Sequence, residues 1–337
     1  MCALDLEEPD RVPVTPLIGQ THASKVAGRP VYESFLDAEK HSKVIMKSRQ
    51  RYGYDWCFIG PGIEFESYGV LMRLPMNDSP SIVKPAILKP EDLDNYRAPN
   101  PHEDAKIGIL LDTIRELKKA VDGKFPVNAH VAAPYSLACM LRGLQDFCRE
   151  LYTNRSLVKR LIDLATKLTV DYGVAQIEAG ADWVWLGDAL SSPNLISPKM
   201  HSEFALQAAK VAVSEFKKRG VPVIYHVCGN TTKIFENMAD TGADGISIEE
   251  AVDLSDAKTR VGDRVCLMGN LDGVGLLLRG TALEVKKATE ECISKAANGG
   301  GFMLSSGDET PRDCPTENIE SMVHVAMTFG RYTKPPL

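Results

Sequence analysis

Short apolar runs that alternate with longer amphipathic stretches along almost the whole chain are what most restrict the folds open to these 337 residues. Eight runs read as strands, at 11–17, 55–59, 126–131, 182–187, 221–227, 244–248, 264–268 and 301–304. Several lack polar alternation, as expected of strands covered on both faces. Helical periodicity lies between them, over 31–52, 104–121, 135–177 with a break near Asn154, 201–219, 232–240, 255–261, 282–298 and 315–329. No Gly-x-Gly-x-x-Gly turn follows the first strand. The repeat therefore predicts an α/β protein built as a single (β/α)8 TIM barrel rather than a dinucleotide-binding sheet. Residues 61–103, rich in Pro and polar groups, form an excursion from this one domain.

A local echo supports the repeat. Gly180-Ala-Asp-Trp-Val-Trp-Leu-Gly-Asp188 and Gly242-Ala-Asp-Gly-Ile-Ser-Ile-Glu-Glu250 both run from Gly-Ala-Asp through an apolar strand to an acidic end. In a barrel Asp182 and Asp244 fall at the bottom, where residues serve stability, whereas Asp188, Glu249 and Glu250 fall at the top, where chemistry is placed.

The most specific chemistry is at the end of the fifth run. Residues two apart on a strand face the same way, so in His226-Val-Cys228 an imidazole and a thiol converge where the strand gives way to Gly229-Asn-Thr-Thr232. Both are good zinc donors, and zinc needs about four. An arbitrary His-x-Cys is more often a core pair; the strand-end setting favours a metal. Glu66, His130, Asp188, Glu249, Asn270, Asp272 and Asp308 join the pair at the top rim. Trp183 and Trp185 are expected between strand and helices, Met268 inside the barrel, and Tyr225, which alternates away from His226, against a helix.

Composition narrows the partners. A net charge of −6 argues against a protein that tracks phosphates on nucleic acid. No apolar run is long enough to span a bilayer, and the first residues lack the basic and apolar regions of a signal peptide. Eight Cys without paired spacing read as reduced thiols, so a cytoplasmic enzyme is expected. A homodimer is left open.

Four stretches carry a family resemblance over nearly the whole chain: Glu8-Pro-Asp-Arg-Val-Pro13, Val223-Ile-Tyr-His-Val-Cys-Gly-Asn230, Met268-Gly-Asn-Leu-Asp272 and Asp308-Glu-Thr-Pro-Arg-Asp-Cys-Pro-Thr-Glu-Asn318. Together they resemble the uroporphyrinogen decarboxylase superfamily, and His-x-Cys-Gly-Asn resembles its corrinoid-dependent methyltransferase branch. The resemblance implies Zn2+ on His226 and Cys228, with Glu249 completing the sphere when substrate is absent, and a corrinoid (methylcobalamin or its cobalt(I) form) supplied by a partner protein. The chain itself has no Asp-x-His-x-x-Gly segment for cobalamin.

Where thiol-methylating members carry a Cys in Ser-Pro-Gly-Cys, this chain reads Ser305-Ser-Gly-Asp308. Replacing a thiolate by a hard carboxylate leaves a more Lewis-acidic ion, suited to oxygen ligands. The implied substrate is a small methylated compound, with demethylation of a methyl ether favoured and thiol methylation of the coenzyme M type the alternative. Cys314 is a second candidate for the position given to Asp308, though Pro311 and Pro315 bracket it in a turn. Asp188, Glu249 and Asn230 are the expected catalytic groups; Glu66, Tyr135, Asn270 and Asp272 are expected to touch substrate, with Phe65, Tyr68 and Met72 near the mouth. A decarboxylase is the nearest competitor, but 14–22 contains no Arg to pair with a tetrapyrrole's carboxylates. A catalytically silent docking barrel is the third reading; it would need no ligand set.

Overall fold

The computed structural model describes residues 2–332. Six of the eight expected runs pair into one parallel ladder, in sequence order. After a small antiparallel hairpin, β1 (Leu71–Arg73) and β2 (Ser81–Lys84), come β3 (Asn128–Ala132), β4 (Trp183–Gly187), β5 (Val223–His226), β6 (Gly245–Ser247), β7 (Cys266–Leu271) and β8 (Phe302–Ser306). The first two runs are too short for a ladder, yet they carry the hydrogen bonds onward. Thr15 N–H donates to Leu304 O (2.8 Å), Asp55 N–H to Val14 O (2.9 Å) and Cys57 N–H to Pro126 O (2.8 Å). The path from β8 through 13–15 and 55–57 to β3 makes the α/β barrel.

Acids fix the bottom of this ring. Asp55 accepts from Val14 N (2.7 Å) and pairs with Arg11; Asp182 accepts from Val127 N (2.8 Å) and pairs with Lys118; Asp244 accepts from Val223 N (2.9 Å) and pairs with Lys217. Each carboxylate thus satisfies the first N–H of the neighbouring strand while balancing a cation. The two Gly-Ala-Asp acids are structural, as their position implies.

Side-chain parity separates interior from exterior. Trp183 stacks on Trp56 at 4.8 Å between centroids, and Trp185 meets Phe58 edge-on at 5.5 Å. Both Trp residues therefore point into the barrel, not between strand and helices as expected. Tyr225 alternates outward, as expected, and donates its hydroxyl to Asp188 (2.6 Å). Met268 pairs in register with Met303 inside the barrel.

The helical shell is more divided than the sequence predicts. The 31–52 stretch breaks at Asp37, which caps Ala38–Tyr52 by accepting from Lys40 N, and 135–177 breaks at Gly143 as well as at Asn154. Segments outside the expected set include Gln20–Ala27 and the π-turn Gly273–Leu278. Gln20, Thr21 and His22 are buried polar groups whose partners are far along the chain, and buried Ser24 pairs with Ser34, so the first segment shows no apolar stripe. The excursion packs Phe65, Tyr68, Val70 and Ile87 against Tyr135, Leu137 and Phe147, and Arg142 holds Ile87 O and Leu88 O while paired with Glu150. Among the described residues no helix is long and apolar enough to cross a membrane, and all eight cysteines are unpaired.

Removing a bottom acid tests this construction. Asp182→Ala strands the Val127 N–H and the Lys118 ammonium, and should lower unfolding stability by about 2 kcal/mol in urea titration without altering ligands at the opposite end. Unchanged stability would show that the N–H is satisfied some other way.

Candidate metal centre

His226 ends β5 and Cys228 follows two residues on, so both side chains leave the same face of the chain, with Nε2 and Sγ 3.2 Å apart. Glu249 lies just beyond the end of β6. Among the described residues His226, Cys228 and Glu249 form a group whose ligand atoms all lie within 4.8 Å of one another. Two flanking residues hold the imidazole: Ser247 Oγ lies 3.1 Å from Nδ1, and Trp185 stacks on the ring at 5.0 Å. They occupy equivalent positions in the two Gly-Ala-Asp repeats, one on each strand beside β5.

Backbone contacts hold Glu249. Asn270 donates to Glu249 O (3.0 Å) and Val252 O (2.8 Å), tying down the loop after β6. The Gly229 N–H bonds the Glu249 carboxylate and partly offsets the burial that raises its pKa. Gly229 has φ 80°, a conformation that costs a residue with Cβ, and a Cβ here would meet Asn194 Nδ2 at 2.6 Å. Burial holds His226 below its usual value, keeping the ring neutral. Burial, reinforced by the charges of Asp308 and Glu249, pushes the Cys228 thiol up. A neutral imidazole and a thiol kept from ionising by acids fit a divalent cation, whose charge would reverse that penalty.

The group opens into a cavity of about 320 Å³ at the top of the barrel, lined by Phe58, Phe65, Met72, Ile82, His130, Met140, Trp185, Asp308 and Glu309 among others, and, among the described residues, by no Lys or Arg. The excursion supplies Phe65, Met72 and Ile82. A second cavity, about 240 Å³, opens at the bottom; its Arg11, Asp55 and Asp182 are already committed to the ion pairs described above.

The remaining expected residues divide. Asp308 lines the cavity but is exposed, caps Glu309 N (2.7 Å), and stands outside the three-residue group. Asp188, expected as a catalytic group, is fully buried and saturated by Ser136 N (3.0 Å), Ser136 Oγ (2.6 Å) and Tyr225 Oη. Asn230 is exposed and accepts from Thr232 N (3.1 Å). Asp272 caps the π-turn through Val274 N and Gly275 N. Glu66 pairs with Lys106, and Tyr135 is buried edge-on to Phe147. Tyr68 joins that cluster, whereas Phe65 and Met72 reach the cavity. Cys314 is buried with Sγ 4.0 Å from Gly273 O, away from the group. Asn270 acts on the Glu249 loop, not on the cavity.

Two cavity residues go beyond the expected site. Glu309 follows Asp308 directly; burial raises its carboxyl to about 7 and Thr21 donates to it (3.2 Å). His130, which the rim order includes without a role, is held neutral by burial, its pKa lowered to about 3.

The sequence profile described as "Uroporphyrinogen decarboxylase (URO-D)" matches residues 1–329. A methylcobamide:CoM methyltransferase, MtbA, of Methanosarcina acetivorans is 27% identical over 332 residues, covering 97% of this chain and 96% of that protein. A uroporphyrinogen decarboxylase of Coxiella burnetii is 28% identical, covering 81% of this chain and 76% of that one. A solved methyltransferase structure from Methanosarcina mazei superposes with a TM-score of 0.89 at 25% identity, covering 97% of both chains.

Two outcomes follow. Ser247→Ala, which frees Nδ1 of His226, should weaken zinc affinity about tenfold in chelator competition, whereas Asn230→Ala should not change it; equal effects would contradict the assignment. Below an unfolded-state pKa of about 6.5, unfolded His130 gains a proton that the folded ring refuses until about 3, so stability falls with acidity. Against His130→Phe, wild type should lose about 1.4 kcal/mol more per pH unit between pH 6 and 4; parallel stability curves would refute a neutral buried ring.

Proposed function

The chain belongs to the uroporphyrinogen decarboxylase family, and on that premise we propose that it is a zinc-dependent enzyme that takes a methyl group from a neutral methyl ether and passes it to a corrinoid carried by a partner protein. At the coarser level it is a methyltransferase of the corrinoid-dependent type, like the methylcobamide:CoM relative.

The observation that carries the finer reading is the cavity: one thiol, one imidazole and carboxylates at the head of an apolar chamber whose lining, among the described residues, includes no cationic side chain. Coenzyme M bears a sulfonate, and such an anion would enter facing Asp308 and Glu309 with nothing to pair with it. A decarboxylase substrate with several carboxylates meets the same obstacle. A neutral ether does not.

His226, Cys228 and Glu249 would hold the ion. A zinc ion there would supply Lewis acidity toward a substrate oxygen, stronger with one sulfur donor than with two. The chain's own residues do the rest. Ser247 and Trp185 fix the imidazole plane, and Gly229 and Asn270 fix the Glu249 loop. Glu249, half-buried on a loop rather than a strand, is the donor best placed to yield to substrate, and Asp308 keeps the cavity edge negative. Phe58, Phe65, Met72 and Met140 exclude water from the methyl carbon and leave the open mouth to the partner's corrinoid. The reading places the enzyme in the cytoplasm.

Zinc-loaded protein incubated with a reduced corrinoid protein and a panel of methyl ethers, methanol, methylamines and thiols tests it through the cobalt spectrum. Transfer from an ether is expected, with His226→Ala and Cys228→Ala losing both zinc and more than about 99% of the rate. Transfer from no oxygen donor, together with thiol methylation from methylcobalamin, would reverse the assignment.

A further inference from the structure

Among the described residues that line the cavity, His130 is a neutral imidazole outside the metal group with a ring nitrogen that no protein group satisfies. It sits at the middle of β3, opposite Trp185 in the register, and Gln176 clamps its backbone from both sides, accepting from His130 N (2.9 Å) and donating to His130 O (3.0 Å). That clamp fixes the strand without touching the ring. The ring stands edge-on to Phe58 at 6.2 Å and lines the same chamber as His226 and Cys228.

A neutral imidazole has one donor and one acceptor nitrogen, and a buried one normally satisfies both. Here Nδ1 is sealed from solvent with no hydrogen-bond partner. An unmet N–H is the harder of the two to leave buried, so the proton belongs on Nε2, the nitrogen left to face the cavity. The cavity it shares is lined mainly by apolar groups, Phe58, Phe65, Met72 and Met140 among them, and its acceptors Asp308 and Glu309 make no hydrogen bond to His130. An N–H aimed into an apolar chamber is a selectivity device: a ligand that offers an acceptor gains the bond, and one that lacks it leaves the donor unpaired.

We propose that His130 is the specificity-determining residue of this cavity, donating Nε2–H to a second, non-reacting oxygen acceptor on a neutral methyl ether substrate. The inference rests on the O-demethylation reading for the name of the substrate, but its binding chemistry is separate from transfer. His130 is a binding residue here and moves no proton.

Calorimetric titration of the intact protein with three small probes tests it. Methoxybenzene has only the reacting oxygen; 2-methoxyphenol and 1,2-dimethoxybenzene each add a second acceptor. Both should bind at least about tenfold more tightly than methoxybenzene to wild type. In His130→Phe the preference should collapse to below about twofold, and His130→Gln, which keeps a donor, should retain a measurable part of it. Equal binding of all three probes to wild type would overturn the proposal without any variant. So would an undiminished preference in a His130→Phe protein with wild-type melting temperature and zinc content. Selective binding with no methyl transfer to a corrinoid would leave His130 in this role and remove the O-demethylation reading instead.

Discussion

The site depends on one constraint: side chains two apart on a strand share a face. Because β5 ends at His226 and the chain stays extended to Cys228, imidazole and thiol arrive together, 3.2 Å apart, with no loop needed to bring them in. The neighbouring strands add to it by register. Trp185 on β4 and Ser247 on β6 flank the imidazole, one through its ring face and one through a hydrogen bond. The barrel thus holds the ligand from both sides, and the acids at its bottom keep those strands in register.

Much of this was legible. The alternation of runs located all eight barrel positions, although 11–17 and 55–59 contribute bridges rather than ladders. Strand parity found His226 and Cys228, and the Gly-Ala-Asp echo put Glu249 at the top and Asp182 and Asp244 at the bottom. The same echo, aligned one step further, matches Trp185 with Ser247 and holds the signal for the support of His226. What the sequence could not show is how strand-end polar groups are spent. Asp188, Asp272 and Asn230 look like Glu249 in one dimension, but each is satisfied by backbone N–H groups or a hydroxyl, because turns and helix starts need acceptors as much as metals do. Glu66 meets Lys106, 40 positions along the chain, a pairing no local pattern encodes.

The chamber above the candidate metal group draws on two parts of the chain. Its floor is barrel, which carries His226 and leads into Cys228, while its wall includes Phe65, Met72 and Ile82 from the excursion. The barrel strands therefore carry the candidate ligands and His130, while the excursion supplies part of the apolar wall, as in other barrels where loops vary over a constant scaffold. Asp308 lies on the cavity edge outside the three-residue group, where the resemblance implies a Cys in thiol-methylating members, so the proposed site holds one sulfur.

The sulfur count is accordingly the most direct measurement. X-ray absorption at the zinc edge of the purified protein should show one sulfur at about 2.3 Å, with the remaining scatterers nitrogen or oxygen near 2.0–2.2 Å. Two sulfurs in the first shell, or protein that retains no zinc, would contradict the account.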